Sequence, residues 1–410
     1  LEELIARYPD EAKAYSYLAN VYSWGIYDLQ KAIATSARGV EAHPRSGPLH
    51  GTYGGWLLDA GRFEEARRDF ETYAELSPRD PKSHDRLGNY YLVVGDPETA
   101  LGHFARTFEV EPTSNFFRPG PALAYGMLGR FDQALREAEQ FPGMMRWALQ
   151  AFLLSRVGRY RDAEEIILEG TEASESYLYI YYGIQMIACL IETERGRFDR
   201  MVDISNHVLE MTLRSPEREL RESMAQAAHA NAGVALARSG NLEAARRHLK
   251  TLKTLLLQPH WWPLDWSVRA LEGEIALAAG DLDAAETHFK VAEPKPKMLF
   301  HRGALAGAIA LNHDRCRDGL ARVAKARGDL DGAIEIYRRL NTPGLDNPWT
   351  SVLEPRYVLE VARLLDQKGD HAAAREEYAR FLELWRGADP DLPELAEART
   401  RLAQLESSEE

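Results

Sequence analysis

Cysteine is almost absent from this sequence. The two that occur in 410 residues, Cys189 and Cys316, form neither a disulfide framework nor a CxxC metal pair; they point to a reducing compartment, the cytoplasm, with both thiols as small buried apolar residues. No apolar run approaches the roughly 18 residues that a membrane span requires, and no signal-peptide pattern opens the chain. Positive charge is in deficit. Fifty Lys and Arg stand against 63 Asp and Glu, and the net charge of −13 repels phosphate backbones and anionic lipid heads over the surface as a whole. Nucleic acid and membrane are thereby excluded as general partners of this region.

Catalytic patterns are missing as well. Gly51, Gly54 and Gly55 lie inside a helical pattern with no Lys-Ser/Thr behind them, so they do not make a phosphate-binding loop. There is no GxSxG elbow and no HExxH helix. His301, His313 and Cys316 lie close in sequence but lack a fourth ligand, and acidic pairs such as Glu64-Glu65 and Glu164-Glu165 read as solvated helix faces. The sequence therefore offers no catalytic residue, no metal site and no cofactor site, and the expected protein is not an enzyme.

What the chain has in quantity is one turn. Gly61-Arg62-Phe63-Glu64-Glu65-Ala66 recurs in variant form from Tyr27, where the glycine is replaced, and from Gly95, Gly129, Gly158, Gly196, Gly240, Gly280, Gly328 and Gly369. The early intervals are 61 − 27 = 34, 95 − 61 = 34 and 129 − 95 = 34, and the prolines at 44, 78 and 112 keep the same step. The chemistry explains the period. A glycine just past a helix end takes the left-handed conformation without a side-chain penalty; Phe63 and Ala66 then open a second apolar face that runs through Phe70 and Tyr73 to Pro78. Each unit is an antiparallel helix pair whose apolar stripe is buried only by stacking on its neighbours. Two local departures are expected: a lengthened turn at Trp24-Gly25-Ile26-Tyr27, and a helix start displaced to Pro119–Pro121, because proline fits only a first turn. The Glu293-Pro294-Lys295-Pro296-Lys297 stretch reads as a stiff connector.

These residues resemble the tetratricopeptide repeat. Between Pro81 and Pro112 the family pattern is met by Leu87, Gly88, Tyr91, Gly95, Ala100, Phe104 and Pro112. The resemblance implies an all-α, right-handed superhelix of about ten helix pairs with a carboxyl-terminal capping helix. Its expected organisation is one continuous solenoid: residues 1–10 as the second helix of a truncated repeat, 11–142 as regular repeats, 143–300 as divergent repeats with longer helices, and 301–406 as the last repeats and the cap. An unpartnered first helix is expected to leave Leu4 and Ile5 only partly covered. This suggests that the region is part of a longer chain. The wording of Ser83–Gly88, Phe381–Trp385 and Ala388–Leu395 is similar to the repeat regions found after bacterial serine/threonine kinase or winged-helix regulator domains.

The family also implies where binding occurs. First-helix side chains line its groove, and some members grip a peptide's terminal carboxylate there. Asn20, Lys82 and Arg86 fall on three positions of that clamp; its other two hold Ser16 and Thr52, where the pattern has lysine and asparagine, and Asn89 lies further along the same helix as Arg86. Lys82 and Arg86 are four apart and repel each other unless an anion lies between them. Trp261, Trp262 and Trp266 are candidate interface aromatics; Tyr177, Tyr179, Tyr181 and Tyr182 form a second ring-rich stretch. The expected function is a non-enzymatic scaffold that holds a protein or peptide segment, as the sensory or docking part of a larger signalling protein. The alternative is a solenoid that senses a small ligand and regulates a fused kinase or DNA-binding domain.

Overall fold

The computed structural model describes residues 2–7, 11–25, 28–113, 119–141, 145–174, 177–214, 218–255, 265–292, 313–344 and 352–407. Among them no residue is in a strand. The helices are α1 (Glu2–Arg7), α2 (Ala12–Asn20), α3 (Leu29–Ala42), α4 (Gly47–Asp59), α5 (Phe63–Leu76), α6 (Pro81–Val94), α7 (Pro97–Val110), α8 (Pro119–Met127), α9 (Phe131–Glu139), α10 (Met145–Arg156) and α11 (Tyr160–Ser174). They continue as α12 (Leu178–Glu194), α13 (Phe198–Thr212), α14 (Arg218–Arg238), α15 (Leu242–Leu255), α16 (Asp265–Ala278), α17 (Leu282–Ala292), α18 (His313–Ala326), α19 (Leu330–Leu340), α20 (Pro355–Lys368), α21 (His371–Leu384) and α22 (Pro393–Ser407). From α2 to α21 they fall into ten successive pairs.

The turn chemistry accounts for the pairing. Every one of the nine repeat-opening glycines has positive φ, from 65° at Gly196 to 86° at Gly240, which is the left-handed region that ends a helix. In the most regular repeat, Asp80 accepts from Lys82 N at 3.1 Å at the head of α6, and Asp96 accepts from Thr99 N at 3.0 Å at the head of α7. Each thus satisfies a helix amide that has no partner within the helix. In the first repeat Val21–Gly25 continues α2 as a π-helical turn, and Ile26 and Tyr27 of the expected lengthened turn lie outside the described residues. Helix α8 begins at Pro119, as the two prolines require.

Two compact units divide the chain. The first centres on Leu1–Tyr125, and its core gathers Ala19, Ile33, Trp56, Leu57, Ala66, Phe70, Leu87 and Tyr90. Burying each of the large side chains contributes about 1.5–3 kcal/mol. Phe104 shows why a small residue is needed where helices meet: a Cβ on Gly88 would stand 2.5 Å from its ring, and one on Gly120 2.4 Å. Ile5 of α1 corrects the expectation of partial cover. It is 3% exposed and packs with Ala14, Tyr15, Leu18 and Leu49, because the first pair supplies the missing surface. The side chain of Leu4 lies outside the described residues, as does the connector at 293–297.

The second unit begins at Gly126 and takes in α9 to α22. Its stack closes on itself. Trp385 Nε1 donates to Arg156 O at 2.9 Å across 229 residues of chain, Asp389 N donates to Gly158 O at 3.0 Å, and Leu353 N donates to Gly126 O at 3.2 Å. Arg386 pairs with Asp132 at 2.8 Å and Arg161 with Asp391 at 2.6 Å. The loop after α21 therefore seals against the turn between α10 and α11.

Candidate functional site

In the first unit the first helices of successive pairs, α2, α4 and α6, lie side by side. Ser16 Oγ and Thr52 Oγ1 approach to 3.4 Å, so neighbouring first helices place these side chains in one row. Arg86 stands one repeat beyond Thr52, since 86 − 52 = 34, and so occupies the matching position of α6. Lys82, Arg86 and Asn89 at helical spacing make one stripe. Lys82 is exposed; Ser16, Asn20, Thr52, Arg86 and Asn89 are half-buried, and Asn20 is the last residue of α2. Tyr17 of α2 and Val21 of the π-helical turn add exposed apolar surface, at 60% and 43%.

Sequence reasoning passed over Asp85. Burial pushes its carboxyl up to about 6 against the opposing pull of Arg86 and Asn89. Asn89 Nδ2 donates to its backbone O at 2.8 Å. With Lys82 and Arg86 cationic, the stripe carries one net positive charge at neutral pH. The visible signal was a carboxylate at i+3 from Lys82, on the face already singled out. Trp261 and Trp262 lie outside the described residues, and Trp266 stands in the first turn of α16 with its side chain outside them. Tyr177 is exposed at 59%, whereas Tyr181 is buried.

The second unit holds clusters of charge, largely buried, that answer one another. Arg156 pairs with Glu194 and Glu354, and Arg356 Nη2 reaches Glu194 at 3.1 Å and Glu354 at 3.0 Å. This is a balanced set of two cations and two anions, and Arg156, Glu194 and Glu354 are almost wholly buried. A second cluster holds Glu274, which accepts from Arg238 at 2.7 Å and Arg322 at 2.5 Å, while Asp318 accepts from Arg322 at 2.9 Å and Arg238 at 3.3 Å. Glu164 corrects the reading of acidic pairs as merely solvated: it bridges to Arg195 and Arg197 of the following pair. Among the described residues no three His, Cys, Asp or Glu side chains converge as metal ligands, and no helix is long and apolar enough to cross a membrane.

Three histidines share one interhelical slot. His50, His84 and His229 each face the residue 19 positions on: Asp69 at 2.7 Å, His103 at 3.3 Å and His248 at 3.0 Å. Opposite aspartate, the His50 imidazole is pushed above its ordinary pKa by that hydrogen bond. Opposite histidine the direction reverses: burial, with the partner imidazole second, holds His103 at about 4 and His229 at about 4. His84 and His248 are also lowered, by burial first. The unfolded chain binds these protons near pH 6.5 and the native pairs do not. The pairs therefore lose stability as pH falls from about 6.5 towards 4, whereas the His50 contribution is present in acid and lost as pH rises through its raised value. His103→Asp should convert the second slot into the first. Urea denaturation at pH 5 should show the variant gaining roughly 1 kcal/mol relative to its own difference from the parent at pH 7.5, after discounting for solvent screening. An unchanged difference would refute the slot as the source of pH dependence.

Stacked helix pairs joined by glycine turns define an all-α repeat protein. Models of the tetratricopeptide repeat match residues 57–111, and also 122–140, 226–251, 266–289 and 315–339. The chain thus carries tetratricopeptide repeats, the kind that builds scaffolds for protein–protein interaction. No curated protein matches it. Solved structures similar to it include YrrB, described as a TPR protein with an unusual peptide-binding site, at 16% identity and TM-score 0.32, covering 44% of this chain and 94% of that one. Another is a tetratricopeptide repeat protein from Parabacteroides merdae, at 14% identity and TM-score 0.40, covering 76% and 98%. Yeast Tom70 matches at 11% identity and TM-score 0.35, covering 96% and 89%.

Proposed function

We propose that the first unit holds an extended segment of a partner protein along α2, α4 and α6, with a carboxyl terminus or acidic side chain directed at Lys82 and Arg86. The observation that carries this reading is the Ser16–Thr52 approach of 3.4 Å, which joins successive first helices into one polar row leading to the Lys82–Arg86–Asn89 stripe. Ser16, Thr52, Asn20 and Asn89 offer hydroxyls and amides suited to a peptide backbone, and Tyr17 with Val21 offers an apolar contact. Asp85 favours a ligand whose negative group is followed by a donor. We attach to this a docking role within a larger signalling protein, supported by the likeness of residues 381–395 to such regions.

The test is fluorescence anisotropy with a labelled peptide ending in acidic residues and a free carboxylate, against the same peptide amidated. Lys82→Ala/Arg86→Ala should weaken binding of the free acid about 10- to 100-fold, the usual scale for two charge-assisted contacts, and flatten its salt dependence. Equal affinity of parent and double variant, or of acid and amide, would reject the carboxylate clamp.

A further inference from the structure

The 19-residue slot holds two different chemistries. In its first occurrence His50 meets the Asp69 carboxylate, and both ring nitrogens are engaged, Nδ1 with Asp69 at 2.7 Å and Nε2 with Pro44 O at 3.1 Å. That pairing is complete. In the other two occurrences a second imidazole stands where the carboxylate was: His84 Nδ1 of α6 lies 3.3 Å from His103 Nδ1 of α7, and His229 Nδ1 of α14 lies 3.0 Å from His248 Nδ1 of α15. With both rings neutral, one Nδ1–H donates to the other Nδ1, a weaker bond than the charge-assisted one of the first slot.

What the histidine pairs offer instead is a chelate. Two nitrogens bound tetrahedrally to one zinc ion at about 2.0–2.1 Å stand about 3.3 Å apart. The two pairs hold theirs at 3.3 and 3.0 Å, within a small ring movement of that spacing. Neutral imidazole is the form that binds metal, and burial keeps all four rings in it near pH 7. The four residues are half-buried rather than sealed, so water and a hydrated ion reach them. The first pair is also steadied, since Tyr91 stacks on His103 at 5.3 Å with the ring planes 10° apart. Arg106, partly offset by Glu109, lies near the first pair and Arg247 near the second, which keeps the affinity for a cation modest. Among the described residues no third His, Cys, Asp or Glu joins either pair. Calcium and magnesium therefore lack the oxygen ligands they require, whereas zinc and copper suit imidazole, with water at the remaining positions.

We propose that each histidine pair is a binding site for a divalent transition metal that favours imidazole, zinc or copper, held by His84 and His103 on the α6–α7 hairpin and by His229 and His248 on the α14–α15 hairpin. The ion replaces the hydrogen bond across the slot. The Nδ1 proton of one ring passes through solvent to its own Nε2, both Nδ1 lone pairs turn to the metal, and no proton is released on balance. The sites do not depend on the peptide reading. They give the chain a second function, because an ion that clips the two helices of one repeat together makes the rigidity of that repeat respond to metal.

The probes are zinc chloride and magnesium chloride, added at pH 7.5 to the full chain stripped with EDTA, with hydrogen exchange read by mass spectrometry. Zinc should slow exchange at residues 81–110 and 218–255 saturably, by about 10-fold at ten times its dissociation constant, as a ligand of the native state does. Magnesium should not. His84→Asn keeps an amide to hydrogen-bond across the slot but leaves one imidazole; it should exchange like the parent in EDTA and lose the zinc response at 81–110 alone. His229→Asn should lose it at 218–255 alone, so each variant serves as the other's control for folding. Zinc protection that survives at the substituted hairpin overturns the site, as does a parent that zinc protects at neither hairpin or that magnesium protects equally. Copper(II) added to the parent below one equivalent decides the matter without any variant: its electron paramagnetic resonance spectrum should show coupling to two imidazole nitrogens per ion, and coupling to one would overturn the chelate.

Discussion

Trp385→Ala should lower the stability of the second unit by about 3–5 kcal/mol, the scale of emptying a buried aromatic site. Trp385 is 1% exposed and packs on Phe381 at 4.8 Å between ring centroids and edge-on to Tyr160 at 6.2 Å. The same side chain carries the hydrogen bond to Arg156 O that helps close the stack. Removing it therefore deletes packing and leaves a buried carbonyl without its donor. Gly158→Val should act at the same seam by another route: φ is +70° there, and a Cβ would stand 2.8 Å from Ala388 Cβ and 3.0 Å from Trp385. Hydrogen exchange read by mass spectrometry should show both variants losing protection together at residues 126–165 and 352–395, with residues 28–113 unchanged. Loss confined to α20–α22 would mean that the seam does not hold the two ends, and a cost below 1 kcal/mol would mean that the indole is replaceable.

That seam also marks how far the sequence could be read. The hairpins were legible because one residue type answers one backbone need. Glycine past a helix end signals the left-handed turn, and all nine such glycines adopt it. The prolines at 78 and 112 likewise follow the ends of α5 and α7 at Leu76 and Val110. Closure was not legible. Whether a stack meets itself depends on small rotations accumulated over successive pairs, and no local pattern encodes that sum. In the sequence Trp385 is one more aromatic of a last repeat; only the fold places it against Arg156.

The sites divide in the same way. Lys82, Arg86 and Asn89 could be assigned to one face from spacing alone, and their repeat register with Thr52 follows from the constant step of 34. The inner charges of the second unit were hidden among a composition that is 28% charged. Asp318–Arg322 is an i,i+4 pair, but the links that join the helices are distant, 274 − 238 = 36 residues for Arg238 to Glu274 and 354 − 156 = 198 for Arg156 to Glu354, so local spacing does not reveal them. The histidine slot was visible in principle. The separation of 19 residues recurs three times, but its meaning requires knowing that the two positions face each other across a helix pair.

Glu274→Gln is expected to cost about 3–5 kcal/mol, because removing one member of a buried ionic cluster strands the others. The carboxylate is 3% exposed and bound by both Arg238 and Arg322. Glutamine keeps the shape but takes away the charge, leaving the guanidinium groups of Arg238 and Arg322 beside Asp318 alone. Burial by itself would raise the Glu274 pKa; the two arginines outweigh it and hold the carboxyl at about 2. A depressed carboxylate stabilises the fold above its unfolded pKa, and that contribution is lost as pH falls from about 4.5 towards 2. Urea denaturation at pH 7 should therefore show the full penalty for Glu274→Gln, and between pH 4.5 and 2.5 the curves of parent and variant should converge. Glu274→Leu/Arg322→Leu removes one charge of each sign and leaves Arg238 with Asp318, so the double variant should be more stable than the sum of its two single changes by at least 1 kcal/mol. A Gln penalty below 1 kcal/mol, or a gap that widens in acid, would show that the cluster is screened by water and that its charges do not depend on one another.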